Sequence, residues 1–139
     1  MVRAVREVLA RRHVARPRDE LFALLAHLPG HWQLAGRWVE PLELRDDGGV
    51  VRVRGPLGLH RTITTTLTDV HAPERVAGEA RIGATRARIE WLLEPDGEGT
   101  IVTLRARVLE AAPLDRLLLA LGGGAWMQGR FAATLERLL

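Results

Sequence analysis

Arg61 is the residue whose type and setting point most directly to chemistry. It lies in the alternating run Leu59 to Val70, on the parity of Leu59, Ile63 and Leu67. A strand there turns its guanidinium toward the apolar side. A charge aimed into a core is costly unless it is paired or faces a wet cavity. Two plain outcomes avoid the cost: Arg61 sits near the strand end and reaches outward, or a bulge shifts the register. The chemical outcome is a cavity guanidinium that anchors a carbonyl, enolate or carboxylate. Polarising a carbonyl and steadying an enolate is what an aldol cyclisation requires, with no covalent intermediate. His60 points the other way and is a poor general base unless a bulge intervenes. Gln128 is the second polar candidate, because helical spacing puts it in the middle of an apolar face. There it either borders the same space or bonds to backbone.

Other catalytic arrangements have little support. The chain contains neither Ser nor Cys, which removes Ser-His-Asp and Cys-His nucleophiles, disulfides and thiolate chemistry. His27 and His31 have the spacing of a helical metal pair, but Pro29-Gly30 breaks the helix between them and no third ligand lies nearby. No metal site and no cofactor are therefore expected. Gly122-Gly123-Gly124 follows no strand and precedes no Lys-Ser/Thr, so it is a kink rather than a phosphate loop. Thr62, Thr64, Thr66 and Thr68 share one strand face and form an exposed polar ladder. The acidic pairs Asp46-Asp47 and Asp96/Glu98 fall at turns, which leaves a glycosidase-like carboxylate pair unsupported.

The four tryptophans stand out against few other aromatics. Trp91 at mid-strand is most simply core. Trp32 and Trp38 flank a short helical turn, and Trp126 with Met127 follows the glycines. Leu59 and Ile63 share the face of Arg61, and Phe131 flanks the apolar side of the last helix. Packing accounts for each of these singly. Their combination with an internal Arg and Gln fits a mostly apolar ligand pocket with a few polar anchors.

These residues need elements to hold them. The longest helical pattern runs from Pro113 to Leu139. At 100° per residue Leu114, Leu117, Leu118, Leu121, Ala125, Ala132, Leu135 and Leu139 cluster, with Leu138, Met127 and Phe131 beside them. Asp115, Arg116, Arg130 and Arg137 fall opposite. Such a helix would run roughly 40 Å, with a kink at the glycines or a division into two shorter helices. Upstream, Arg3 to Ala15 suits a first strand, although Val2 to Leu9 also admits a helical reading. Pro17 suits the first helical position, with Asp19 and Glu20 complementing the dipole and Leu21, Leu24, Leu25 and Leu28 forming the stripe. A short second turn spans His31 to Ala35. Period-two segments follow at Trp38 to Leu44, Val51 to Val53, Leu59 to Val70, Val76 to Ile82, Ala87 to Leu93 and Val102 to Val108. Short turns divide them, and Glu94 to Gly99 is the clearest loop. Short connections imply an antiparallel sheet, and only the terminal helix is long enough to cover its apolar face. The expected architecture is α+β: a curved seven-stranded antiparallel sheet wrapped around a long C-terminal helix, with two short helices between strands 1 and 2. Residues 1–139 form a single domain, with no internal repeat and no linker.

Composition narrows the partners. The calculated pI of 11.0 overstates the basicity, because net charge is only +3 and every cationic residue is Arg. The Arg11, Arg12, Arg16 and Arg18 cluster has no interleaved aromatic, so nucleic acid is not the expected partner. No apolar run approaches the ~18 residues of a membrane span, and the start lacks a signal-peptide core. A cytoplasmic protein without stable membrane insertion is expected, and a homodimer is left open.

Four stretches carry a resemblance to a known family. They are Val14-Ala-Arg-Pro-Arg-Asp-Glu-Leu-Phe-Ala-Leu-Leu, Trp32 after the short second helix, Ile89-Glu-Trp-Leu-Leu-Glu-Pro-Asp-Gly-Glu-Gly-Thr-Ile-Val-Thr-Leu, and Gly129-Arg-Phe-Ala-Ala-Thr-Leu-Glu-Arg-Leu. Together they resemble the first strand and helix, a common Trp, the last hairpin and the closing helix of the START-like helix-grip (SRPBCC) superfamily. The likeness is to its polyketide cyclase/dehydrase and lipid-transport members. It spans nearly the whole chain as a pattern of spacing rather than a catalytic signature. His27 departs from it, standing where many relatives have Asp. The resemblance implies a hydrophobic pocket between sheet and terminal helix. Some members cyclise and dehydrate polyketide chains there, and others only bind or carry apolar molecules. Three functions follow as expectations: a ligand-binding protein that cyclises, dehydrates or isomerises its guest through Arg61 and Gln128, a non-catalytic lipid or isoprenoid carrier, and a protein-interaction module using the outer sheet face. Fold alone does not choose among them.

Overall fold

The computed structural model describes residues 6–26, 39–45, 47–54, 60–118 and 124–138. Seven strands are present: β1 (Arg6–Val14), β2 (Val39–Leu44), β3 (Gly48–Arg54), β4 (His60–His71), β5 (Arg75–Ile82), β6 (Thr85–Asp96) and β7 (Gly99–Glu110). They form one antiparallel sheet in the order β1-β7-β6-β5-β4-β3-β2. Short links make the last six a meander, and β1 closes against β7 with Val8 opposite Ala106 and Ala10 opposite Leu104. From Arg6 onward the first segment is strand, which removes the helical alternative. Glycine permits the tight turns at two hairpins, where Gly83 and Gly97 hold φ of +56° and +63°. The loop expected at Glu94 to Gly99 is correspondingly shorter. Pro95 pairs with Thr100 and Asp96 with Gly99, so only Gly97 and Glu98 turn.

Three helices lie among the described residues: α1 (Arg18–Leu25), α2 (Pro113–Leu118) and α3 (Gly124–Glu136). The stretch from Pro113 thus holds two helices, as one of the two expected arrangements had it; the expected kink at Gly122-Gly123 lies outside the described residues. The expected second turn at His31 to Ala35 lies outside the described residues. Division corrects the wheel drawn through the whole stretch. Leu114 and Leu117, placed on its apolar face, are 60% and 53% exposed, while Asp115, placed opposite, is 7% exposed. The cause is phase: α2 and α3 are separate helices, and each takes the rotation its own contacts favour.

Alternation sorts the sheet into two faces. The inner face carries Val8, Ala10 and Val14 of β1, Val102, Leu104 and Ala106 of β7, and Trp91 and Leu93 of β6. With Val76, Leu21 and Leu25 of α1, and Phe131, Leu135 and Leu138, these form the main core. α3 lies over β1 and β7, and α1 packs against β5 and β6. A second cluster at the other flank consists of Val39, Val51 and Val53, with Ile63 and Trp126 packed on it. The outer face is polar, and the expected threonine ladder is there, with Thr62, Thr64, Thr66 and Thr68 all exposed. Among the described residues its one deeply buried acid is Glu90, which accepts hydrogen bonds from the Arg105 guanidinium at 2.6 and 3.2 Å. Arg88 and Arg75 stand 3.9 and 4.0 Å from the same carboxylate, so this burial is charge-compensated. Among the described residues no helix is long and apolar enough to cross a membrane.

Candidate functional site

Register brings three polar residues to one end of the inner face. Arg61 opposes Val53 of β3 and lies on the inward parity of Ile63, as the sequence predicts. Thr85 opens β6 opposite Ile82, on the parity of Ala87 and Ile89. The chain leaves β7 at Glu110, and Pro113 starts α2, whose first turn carries Asp115. Arg61 donates to Asp115 through both terminal nitrogens: Nη1 to Oδ1 at 2.6 Å and Nη2 to Oδ2 at 3.2 Å. The Thr85 hydroxyl donates a very short bond to Asp115 Oδ2 and accepts from the Ala112 amide at 3.0 Å. The forked pair is the geometry that guanidinium and carboxylate favour. It resolves the cost of turning Arg61 inward by partnership, rather than by outward reach or a shift of register.

Electrostatics follows the geometry. The hydrogen bond from Arg61 holds the Asp115 carboxyl below its ordinary range, with help from Thr85 and against the upward push of burial. Arg61 is raised in turn, chiefly by its bond to Asp115. Because Asp115 binds a proton less readily folded than unfolded, its ionised form stabilises the fold. That contribution is complete above the unfolded carboxyl's pKa of about 4. It is lost as pH falls through the lower folded value. Replacing Asp115 by Asn is therefore expected to cost about 2 kcal/mol at pH 7, less than for a fully buried pair because Arg61 is partly exposed. The gap between the two proteins should shrink below about pH 4. Urea unfolding at pH 7 and pH 3 checks this; a gap independent of pH would contradict it.

Beside this trio the inner face is incompletely covered. Ile63, Thr65 and Leu67 of β4, Ala80 and Ile82 of β5, and Ala87 and Ile89 of β6 face inward at the middle of the sheet, yet all are only half-buried. Farther along the same strands Val76, Trp91 and Leu93 are 0%, 4% and 2% exposed. The covered end is the one under α1, and the half-buried stretch lies between it and the end that carries Arg61 and Thr85. Two open clefts lie nearby among the described residues. An open cleft of about 430 Å³ is lined by Arg81, Gly83, Ala84, Thr85, Arg86 and Glu110. Another of about 320 Å³ lies on the outer threonine face. Their arginines are already paired with Glu79 and Glu110, so neither cleft offers an uncompensated charge.

The residues expected at the site divide into four groups. Arg61, Ile63, Trp126 and Met127 stand half-buried near this region. Trp126 packs on the second cluster and carries the Arg130 guanidinium 5.4 Å above its ring, while Met127 packs on the main core. Trp91 and Phe131 are buried in the main core at 4% and 8% exposure. Trp32, Trp38 and Leu59 lie outside the described residues, as do His27 and His31. Gln128 is a correction: it is exposed. With α3 starting at Gly124, the buried seam runs Met127, Phe131, Leu135, Leu138, and Gln128 falls on its solvent edge. Asp115 and Thr85 are the residues that sequence reasoning missed. Alternation from Trp91 back to Thr85 was a usable signal for the threonine. Asp115 had none, since a helix of six residues is too short to define a face. Among the described residues no group of three His, Asp or Glu could hold a metal.

Comparison with known proteins gives a consistent result. A family profile described as polyketide cyclase / dehydrase and lipid transport matches residues 5–138. No curated protein sequence matches the chain. Among solved structures, the Zhui aromatase/cyclase from Streptomyces sp. R1128 is similar with a TM-score of 0.70 and 22% identity, covering 96% of this chain and 91% of that one. The protein TTHA0849 from Thermus thermophilus follows at 0.68 and 21%, covering 95% and 93%. DR_A0006 from Deinococcus radiodurans stands at 0.64 and 21%, covering 94% and 92%. At such identities the structural likeness speaks for the fold alone.

Proposed function

The chain belongs to the polyketide cyclase/dehydrase and lipid-transport family, and from that premise we propose that it takes up a small hydrophobic molecule, ring-containing or polyketide-like, between the inner sheet face and α3. One observation carries the proposal. Seven inward residues on the three middle strands, Ile63, Thr65, Leu67, Ala80, Ile82, Ala87 and Ile89, are reachable by solvent although no sheet edge is near them. Apolar groups left in that state favour a guest that covers them, at ~25 cal/mol per Å² of apolar area removed from water.

Arg61 gives the guest an anchor. Positioned by Asp115, its guanidinium donates to a carbonyl and stabilises the negative charge that builds on that oxygen during enolisation, the step that cyclisation, dehydration and isomerisation share. The alternative is a carrier of lipids or isoprenoids, which the family's range supports. Isothermal titration with 2-naphthamide, an uncharged aromatic probe, tests the uptake: saturable binding is expected, and heat that never saturates would contradict it. An enzyme that loses turnover but little affinity on Arg61→Gln would favour catalysis over carriage. A cytoplasmic location belongs to the same proposal.

A further inference from the structure

We propose, building on the pocket reading above, that Asp115 makes this site select uncharged oxygen-bearing guests (ketones, amides, phenols, alcohols) over carboxylates of the same shape. An inward guanidinium by itself is an anion receptor. Here that capacity is already spent. Asp115 occupies one N–H on each terminal nitrogen, so the pair carries no net charge. Asp115 cannot readily yield its place. It is 7% exposed, it holds the Thr85 hydroxyl, and Thr85 is fixed by the Ala112 amide at the entry to α2. Displacing it would leave a buried carboxylate with a single hydroxyl donor, and seating a second carboxylate beside it would set like charges together away from water.

What remains suits neutral acceptors. A guanidinium has five N–H donors, and Asp115 is the only described residue that Arg61 hydrogen-bonds. The remaining donors can serve a carbonyl or hydroxyl with no charge to neutralise. The two arginines flanking Thr85 are themselves compensated. Arg86 beside Thr85 pairs with Glu110 at 2.7 Å and with Glu79 at 3.7 Å, and Arg81 pairs with Glu79 at 3.1 Å. His60, next to Arg61, is exposed on the outer face.

The test is competitive titration at pH 7.5 with 2-naphthamide and 2-naphthoate, which differ in charge but hardly in shape. Wild-type protein should favour the amide by tenfold or more. Asp115→Asn frees the guanidinium's charge and should shift the ratio toward the carboxylate by at least tenfold. Arg61→Gln leaves Asp115 uncompensated and should widen the preference for the amide, which keeps the test decisive if the Asn variant does not fold. A wild-type preference for naphthoate, or a ratio that ignores both substitutions, overturns the selectivity while leaving the pocket intact. Failure of both probes to bind wild-type protein overturns the pocket reading and this inference with it.

Discussion

Ile89→Trp is expected to cut affinity for 2-naphthamide at least 100-fold while costing less than about 1 kcal/mol of stability. Ile89 faces inward on β6 between Gly78 of β5 and Ala106 of β7, and it is half-buried against the main core. In a closed core the added indole volume would force neighbours off their rotamers and cost about 1–3 kcal/mol. Over an uncovered inner face the ring lies in the space a guest would take and covers the same apolar groups. The two readouts therefore decide between a hollow and a filled core. Titration calorimetry with urea unfolding checks both; a variant that is strongly destabilised, or one that still binds, would contradict the account.

The second large effect concerns how the sheet comes to be concave. Between Leu67 and Asp69 the register of β4 against β5 shifts, with Leu67 opposite Gly78 and Asp69 opposite Ala77. Such a bulge sharpens local twist and bends its strand. Gly78 lies at the tightest point: a Cβ built there would collide with the Thr66 carbonyl oxygen, and would stand 3.0 Å from the Thr66 carbon and 3.1 Å from Leu67 Cα. These are backbone atoms of the neighbouring strand, so no side-chain movement relieves the clash. Gly78→Ala is expected to destabilise the fold by about 3 kcal/mol or more, measured as a fall in urea midpoint. A loss below about 1 kcal/mol would mean that the strands can separate without disturbing the sheet.

Much of this was legible from the residues. Six strands announced themselves through period-two alternation, whereas the first segment also admitted a helical reading, and the inward placement of Arg61 followed from parity with Ile63 and Leu67 alone. The polar partner was not legible. Asp115 lies 54 positions from Arg61, on a helix of six residues, and whether so short a helix turns a given side to sheet or solvent depends on how β7 delivers it. For the same reason the long wheel inverted Leu114 and Asp115 and misplaced Gln128: it assumed one continuous rotation through a stretch that holds two helices, α2 and α3. Local periodicity reports a face only within an unbroken element. Nor could the bulge at Thr68 be seen, because it inserts a residue into an otherwise regular alternation. Gly78 is its only trace, a glycine inside a strand pattern.

Isoleucine methyl NMR during titration with 2-naphthamide tests the inner-face reading most directly. The chain has only four isoleucines. Ile63, Ile82 and Ile89 face inward, and Ile101, opposite His13 and Glu94, faces outward. Saturable shifts at the three inward methyls with Ile101 unmoved are the predicted result. Shifts centred on Ile101, or no shift at any of the four, would place the guest elsewhere and remove the basis for a ligand between sheet and helix.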